Sequence, residues 1–120
     1  MLVERFTDLK TWQIARSFRK SVCDLARRPE FSNRVLAQQM MRSADSIPSN
    51  IAEGFGRLKL NDRLHYLRMA LGSSYETQSH LHLAYDDGLC SAAELAALLE
   101  LAQSTDRLIL GLSRALQVRS

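Results

Sequence analysis

Five polar residues have the types and spacings that could support chemistry. Asn50, Glu53 and Arg57 lie three or four positions apart in a stretch with helical periodicity, so they share one side of a helix. Their side chains can pair locally and can reach a facing helix. Arg42 lies earlier in the same segment, and Glu76 lies in the next segment. The polar set therefore comprises Arg42, Asn50, Glu53, Arg57 and Glu76.

Three interpretations of this polar set follow from the residue types. The first is a structural network, in which half-buried carboxylates and guanidinium groups satisfy one another and cover backbone freed at a proline bend. The second is a ligand or partner pocket between facing helices, lined by Arg42, Asn50, Glu53 and Glu76. The third is acid/base catalysis. We favour the structural network.

The sequence lacks the residue spacings that metal binding and phosphate binding require. A four-helix di-metal site needs Glu-x-x-His motifs, and none occurs in the sequence. His80 and His82 lie on nearly opposite sides of a helix, and the pair Glu76 and His80 is typical of a surface hydrogen bond. No phosphate-loop motif is present. We expect no metal and no cofactor.

Basic residues concentrate in the first part of the chain. Residues 1–68 contain thirteen Lys and Arg against seven Asp and Glu, and residues 69–120 contain three against six, so the net charges are +6 and −3. A basic helix face can be a solvated surface or a surface for an anionic partner such as RNA. The candidate nucleic-acid contacts are Arg16, Arg19, Lys20, Arg27 and Arg28.

Apolar periodicity and breaker residues divide the chain into four helices, at about 8–27, 33–56, 62–86 and 92–117. Thr7 or Asp8, Ser32 or Asn33, and Asn61 or Asp62 are the expected caps of the first three helices, and Ser91 with Glu94 forms a capping box for the fourth. Short joints between long helices predict an all-α, antiparallel up-down-up-down four-helix bundle with one domain over residues 1–120.

The segment around Pro48 predicts close helix packing. Apolar residues keep their phase on both sides of Pro48, so we expect one helix that bends there; the alternative is a break at Ser46 with Pro48 in the first turn of a new helix. Small residues nearby allow a second helix to approach. The expected core stripes are Trp12, Ala15, Phe18, Val22 and Leu25; Val35, Leu36, Met40, Ala44, Ile47, Ile51 and Phe55; Leu64, Leu67, Leu71, Ser74, Gln78, Leu81 and Tyr85; and Leu95, Leu98, Leu99, Ala102, Ile109, Leu112 and Leu116.

Composition favours an ordinary cytoplasmic protein. The chain is 46% apolar and 24% charged, and it has neither a signal-peptide pattern at its start nor an apolar run long enough to cross a membrane. Cys23 and Cys90 are expected to be reduced thiols. Leu101, Leu108 and Leu110 widen the apolar band of the last helix, which indicates burial on two sides or contact with another subunit.

Three motifs carry a family resemblance: DLKTWQIA at residues 8–15, RSADSIPSNIAEGFGR at 42–57 and GSSYET at 72–77. Together they resemble the four-helix-bundle family of 23S rRNA-intervening-sequence proteins, over nearly the whole chain. The resemblance implies a bacterial antiparallel bundle that commonly assembles as a ring-like homopentamer, with no established catalytic residue. A related group assists retroelement reverse transcriptases through a basic pentameric surface.

The sequence thus predicts a non-enzymatic, self-associating helical bundle, a pentamer by resemblance, that offers a repeated basic surface to RNA, DNA or a nucleoprotein. The alternative is a structural scaffold or small-ligand-binding bundle without a nucleic-acid role. An enzyme is the third hypothesis.

Overall fold

The computed structural model describes residues 3–32 and 34–119, apart from the side chain of Arg119. Its four α-helices are α1 (Lys10–Ala26), α2 (Val35–Phe55), α3 (Leu60–Asp86) and α4 (Ala92–Arg119). Two short 3-10 turns, Phe6–Asp8 and Pro29–Phe31, precede α1 and α2, and no strand occurs among the described residues. The predicted all-α four-helix bundle is confirmed.

Short joints force neighbouring helices to run antiparallel, and the bundle measures 47 × 23 × 20 Å. The most extensive helix contact joins α2 and α3, while α4 packs about equally on α1 and α3. Buried apolar side chains from all four helices form one hydrophobic core. No helix in the described ranges is both long and apolar enough to cross a membrane.

Three of the predicted helix starts are wrong. Thr7 and Asp8 belong to a 3-10 turn, and α1 begins only at Lys10 with Leu9 as its N-cap residue. Arg34 precedes α2 instead of Ser32, and the other candidate cap, Asn33, lies outside the described residues. Lys59, and not Asn61 or Asp62, precedes α3. None of these three N-cap residues makes a side-chain cap hydrogen bond.

Tertiary packing explains the shift at α2. Phe31, which lies at the end of the Pro29–Phe31 turn, is only 1% exposed because its ring enters the core. Burial of an aromatic side chain stabilises a fold by more than a typical cap does, so the turn that positions Phe31 sets where α2 begins. The capping box of α4 is confirmed, with Ser91 N donating to Glu94 Oε1 at 2.9 Å and Glu94 N donating to Ser91 Oγ at 3.1 Å.

Helix α2 runs without interruption through Pro48, which confirms one continuous helix over the alternative break at Ser46. Pro48 has no backbone N–H to donate. Side chains add donors to the surrounding turns, since the Ser49 hydroxyl donates to Asp45 O at 2.9 Å and the Asn50 amide donates to Ser46 O at 2.8 Å. The bend at Pro48 stays a prediction.

Most of the predicted stripe residues are buried, with two clear exceptions. Val35 is 66% exposed and Tyr85 is 43% exposed. Both lie in a terminal turn of their helix. In α3 the predicted Leu81 is buried, and the next buried position is Ala84 instead of Tyr85. A straight helix drifts relative to a strict three-four repeat, so the pattern overshoots the core by the last turn of a long helix. Trp12 is half-buried against the core.

The two cysteines differ in how deeply they are buried. Cys23 is fully buried in α1, Cys90 is half-buried in the joint before α4, and both are free thiols. Burial raises the pKa of both thiols above the ordinary value, which favours the protonated form.

Candidate nucleic-acid interface

Four of the five predicted basic residues line one shallow groove on the outward face of α1. The groove has a volume of about 570 Å³, and we call it the α1 groove. Helical spacing brings its residues to one side, because positions three and four apart are neighbours on a helix. It is lined by Gln13, Arg16, Ser17, Arg19, Lys20, Asp24 and Arg27.

Two of these cations are partly neutralised. Arg19 Nε lies 2.6 Å from Asp45 Oδ1 of α2, and this hydrogen bond raises the pKa of Arg19. Lys20 Nζ lies 3.1 Å from Asp24 Oδ2 within α1. Exposed ion pairs of this kind contribute little stabilising free energy, so the cations of Arg19 and Lys20 remain available to a phosphate. Arg16 and Arg27 pair with no carboxylate among residues 3–32 and 34–119, which leaves the groove with a net positive charge.

The fifth predicted residue, Arg28, lies outside the groove. It forms an ion pair with Glu94, the carboxylate of the α4 capping box. The hydrogen bond from Arg28, together with the backbone hydrogen bond from Ser91, lowers the pKa of Glu94 to about 2. Arg28 therefore ties the end of α1 to the start of α4, and the structure does not place it with the other four cations.

An aromatic and cationic stack adjoins the start of the α1 groove. The rings of Phe6 and Trp12 meet in a T-shaped pair with centroids 5.2 Å apart and planes at 81°. The guanidinium carbon of Arg16 lies over the Trp12 ring, 5.4 Å from its centroid. Sequence periodicity placed Trp12 in the core and gave no sign of Phe6, because Phe6 precedes the helix.

The predicted polar set is not joined into one network. Arg57 and Glu53 form a local ion pair with Nη2 and Oε2 2.8 Å apart, and the same guanidinium donates to Tyr66 Oη at 2.8 Å. The guanidinium carbon also lies over the Tyr66 ring at 4.8 Å. This cluster fixes the joint between α2 and α3, where a Cβ on Gly54 would come within 3.1 Å of Tyr66 Cβ.

The other members of the set lie apart from Arg57. Asn50 donates to Ser46 Oγ at 2.8 Å in its own helix. Glu76 lies on an exposed side of α3, where its Oε2 is 3.3 Å from His80 Nε2. Arg42 is exposed and makes no hydrogen bond or ion pair within the described ranges. The local pairs fit the structural interpretation, and no contact between Asn50 and Glu76 supports the predicted pocket.

Sequence reasoning missed a line of hydrogen-bonded hydroxyls between α2 and α3, which we call the α2–α3 seam. The Thr77 hydroxyl lies 2.8 Å from Ser43 Oγ, and Ser73 Oγ donates to Ser46 Oγ at 2.9 Å. Ser43 and Thr77 are buried. The small residues around Pro48 predicted close approach of a helix, but the partner residues depend on the register between helices, which one sequence does not reveal.

A second buried polar cluster joins α3 to α4 and was also missed. Asp106, 9% exposed, accepts hydrogen bonds from Ser74 Oγ at 2.6 Å and from Gln78 Nε2 at 2.8 Å. Ser74 and Gln78 were visible as polar residues in the α3 stripe. Asp106 falls between Ala102 and Ile109, which are neighbouring members of the predicted α4 stripe, and this position could have indicated that its carboxylate is buried. Among the described residues, no group of three or more His, Cys, Asp or Glu side chains is arranged to hold a metal ion.

Known proteins resemble this chain at three levels. The family model described as "23S rRNA-intervening sequence protein" matches residues 7–111. A crystal structure from Bacteroides thetaiotaomicron, described as a protein with unknown function from the S23 ribosomal protein family, superposes with a TM-score of 0.81 at 20% identity. That superposition covers 86% of this chain and 97% of the other, and at this identity it shows the fold alone.

Curated relatives match a shorter stretch. Ribosome-binding factor A of Pseudomonas paraeruginosa is 48% identical over 50 residues, which are 40% of this chain and 39% of that protein. The same protein of Pseudomonas aeruginosa is 47% identical over 49 residues, covering 39% and 38%. The match thus spans about two-fifths of the curated relatives. The family model covers most of the chain, and the chain belongs to the family of 23S rRNA-intervening sequence proteins.

Proposed function

We propose that the protein is a non-catalytic, self-associating helical bundle whose α1 groove binds nucleic acid through phosphate contacts. One observation carries the proposal: Arg16 and Arg27 line an open groove on α1 and pair with no carboxylate in the described part of the chain. Arginine forks match phosphate oxygens, and phosphate contacts dominate the affinity of sequence-independent binding.

The names of the relatives support an RNA partner. The family description refers to 23S rRNA, and the curated relatives are called ribosome-binding factors. The words "intervening sequence" in the family description refer to an insertion in the rRNA gene, and the position of a gene in such an insertion does not by itself imply that its protein binds rRNA. The positive charge of the α1 groove supplies the independent physical argument, and RNA is therefore the first ligand to test.

Self-association is supported by apolar side chains that the monomer leaves exposed on α3. Met69, Tyr75 and Leu83 are 45%, 53% and 48% exposed and lie on the outward side of this helix. Large exposed apolar residues on one side of a helix are typical of a subunit contact. In a ring, each α1 groove would repeat around the symmetry axis, so individually weak phosphate contacts would become multivalent. Native mass spectrometry tests this part, and a monomer at micromolar concentration would contradict it.

Nucleic-acid binding is tested with a fluorescently labelled single-stranded RNA at several salt concentrations. We expect log affinity to fall linearly with log salt. The double variant Arg16→Glu/Lys20→Glu should weaken binding of every RNA sequence and make the salt slope shallower by about 1 to 2, because two phosphate contacts are lost. The matched control is Lys59→Glu/Arg114→Glu, which changes the net charge equally at exposed positions outside the α1 groove. If both double variants lost RNA affinity equally, the loss would reflect the net charge of the protein and not the α1 groove.

The second candidate function is a scaffold without a nucleic-acid role. It is favoured by the ion pairs of Arg19 with Asp45, Arg28 with Glu94 and Arg57 with Glu53, since these cations already serve the bundle. Salt-independent or absent RNA binding, combined with an intact oligomer, would favour the scaffold. We assign no catalytic role, because the hydroxyls of the α2–α3 seam are hydrogen-bonded to one another rather than directed at an open pocket.

A further inference from the structure

We propose that Phe6 and Arg16, held by Trp12, form a stacking platform for an unpaired base, so that the α1 groove selects single-stranded over duplex nucleic acid. This inference rests on the proposed function and names its substrate class. Bases of a duplex are covered by their neighbours, whereas an unpaired base can place its face on an aromatic ring or a guanidinium plane.

The Phe6 ring is available for such contact. It is 37% exposed, although it is anchored in a short turn. In its T-shaped pair with Trp12, at least one face of the Phe6 ring is not covered by the indole. Exposure of a large aromatic ring costs hydrophobic stabilisation, and a base that covers the ring would recover it.

The backbone around Phe6 is fixed before any ligand arrives. Leu9 N donates to Phe6 O at 3.0 Å and Asp8 N donates to Arg5 O at 3.0 Å, which closes the 3-10 turn. The Gln13 amide donates to Thr7 O at 2.9 Å and ties this turn to α1. A platform that is already ordered spares the entropy cost of ordering it on binding.

Arg16 belongs both to the platform and to the α1 groove. Its guanidinium is exposed and lies over the Trp12 ring, so the flat cation is oriented by a half-buried support. Trp12, Arg16 and Lys20 follow one another at four-residue spacing, and the stretch from Trp12 to Arg27 is about 22 Å long at the helical rise. A strand whose base lies on the platform can therefore continue with its phosphates along the groove cations. Trp12 is a positioning residue in this arrangement.

The chain provides its own reporter, because Trp12 is its single tryptophan. Titration with a single-stranded RNA should change the intrinsic fluorescence of Trp12, and titration with the duplex of the same sequence should change it less and bind more weakly. Duplex binding as tight as single-strand binding would overturn the inference.

Two substitutions separate stacking from charge. Phe6→Leu keeps an apolar contact for Trp12 but removes the ring, and single-strand affinity should fall roughly 5-fold or more, the loss typical of one stacked base. Arg16→Lys keeps the charge but removes the flat guanidinium, so affinity should fall while the salt slope is unchanged. Tyr85→Leu is the control, because Tyr85 is an exposed aromatic residue in the last turn of α3, outside the groove and outside the apolar residues proposed for self-association.

The outcomes distinguish the two proposals. Wild-type affinity in both Phe6→Leu and Arg16→Lys, with salt-dependent RNA binding intact, would overturn the platform and leave the proposed function standing. Absence of salt-dependent binding in the wild-type protein would contradict the proposed function itself. Melting curves of each variant exclude a loss caused by unfolding, and the platform predicts that melting is nearly unchanged.

Discussion

The α2–α3 seam and the α1 groove are both rich in polar residues, yet they use them in opposite ways. In the seam, hydroxyls of two helices lie within hydrogen-bond distance of one another, as with Ser43 and Thr77 at 2.8 Å. In the groove, cations of one helix face solvent, and Arg16 and Arg27 lack a carboxylate partner in the described ranges. Polar residues that are consumed by packing serve the fold, whereas polar residues left facing outward are available to a partner.

Side-chain size explains the difference. Serine and threonine allow two helix backbones to approach closely, and at that distance each buried hydroxyl must find a partner or cost about 1–3 kcal/mol. Long arginine and lysine side chains keep their charged ends in water while their stems lie on the helix surface. The two regions should therefore respond differently to substitution.

The largest expected loss of stability comes from filling the seam. Ser43→Leu inserts a bulky side chain at a position that is 3% exposed and removes the hydroxyl beside Thr77. We expect the free energy of unfolding to fall by about 3 kcal/mol, because the added side chain overpacks the contact between the two helices, although the Thr77 hydroxyl keeps its 2.8 Å hydrogen bond to Ser73 O. Urea denaturation measures this, with Ser79→Leu at an exposed position of α3 as control. Equal losses in the two variants would show that the seam is not closely packed.

A smaller loss is expected at the buried carboxylate between α3 and α4. Asp106→Ala leaves the Ser74 hydroxyl without its acceptor and leaves the Gln78 amide only its 3.1 Å hydrogen bond to Ser74 Oγ, and it should cost about 2 kcal/mol. Asp106→Asn should cost about half as much, because the Ser74 hydroxyl can turn to accept from the new amide while the amide oxygen accepts from Gln78. Unfolding in urea distinguishes the two variants. A loss below about 0.5 kcal/mol for Asp106→Ala would mean that this cluster does not stabilise the bundle.

The sequence predicts the bundle better than it predicts these polar clusters. Four helices, the capping box of Ser91 and Glu94, and continuity through Pro48 follow from local periodicity and local hydrogen bonding. The start of α2 does not, because the burial of Phe31 decides it. Asp106 could not be assigned its partners, since these lie 32 and 28 residues away and depend on how α3 and α4 are aligned.

The same division applies to the candidate site. Spacing along one helix correctly groups Arg16, Arg19 and Lys20 in a groove, because it needs no tertiary information. Spacing also adds Arg28, which the structure places outside the groove in an ion pair with Glu94, 66 residues away. Phe6 was missed because it reaches Trp12 from a turn outside any helix. Residue spacing in the sequence thus predicts contacts within a helix, and it does not predict contacts between different elements.

Acid should weaken the junction of Arg28 with Glu94, which belongs to neither the seam nor the groove. The pKa of Glu94 is lowered from 4.5 to about 2 in the folded protein. A lowered pKa contributes stability that is fully present above about pH 4.5 and is lost as the pH falls towards 2. Glu94→Gln should therefore flatten the pH dependence of the melting temperature in this window. Glu100→Gln, at an exposed position of the same helix, is the control and should leave the pH dependence unchanged.

The smallest expected effect on stability is in the α1 groove itself. Arg16→Glu/Lys20→Glu removes the cation over Trp12 and places a glutamate four residues before Asp24. Exposed contacts of these kinds contribute a few tenths of a kcal/mol each, so the double variant should lose less than about 1 kcal/mol in urea denaturation. Ser43→Leu is the matched contrast, because it changes one residue of the seam and should cost more than two reversals of charge in the groove. If the double variant lost as much stability as Ser43→Leu, the groove cations would belong to the fold in the same way as the seam hydroxyls, and the distinction between residues consumed by packing and residues left for a partner would fail.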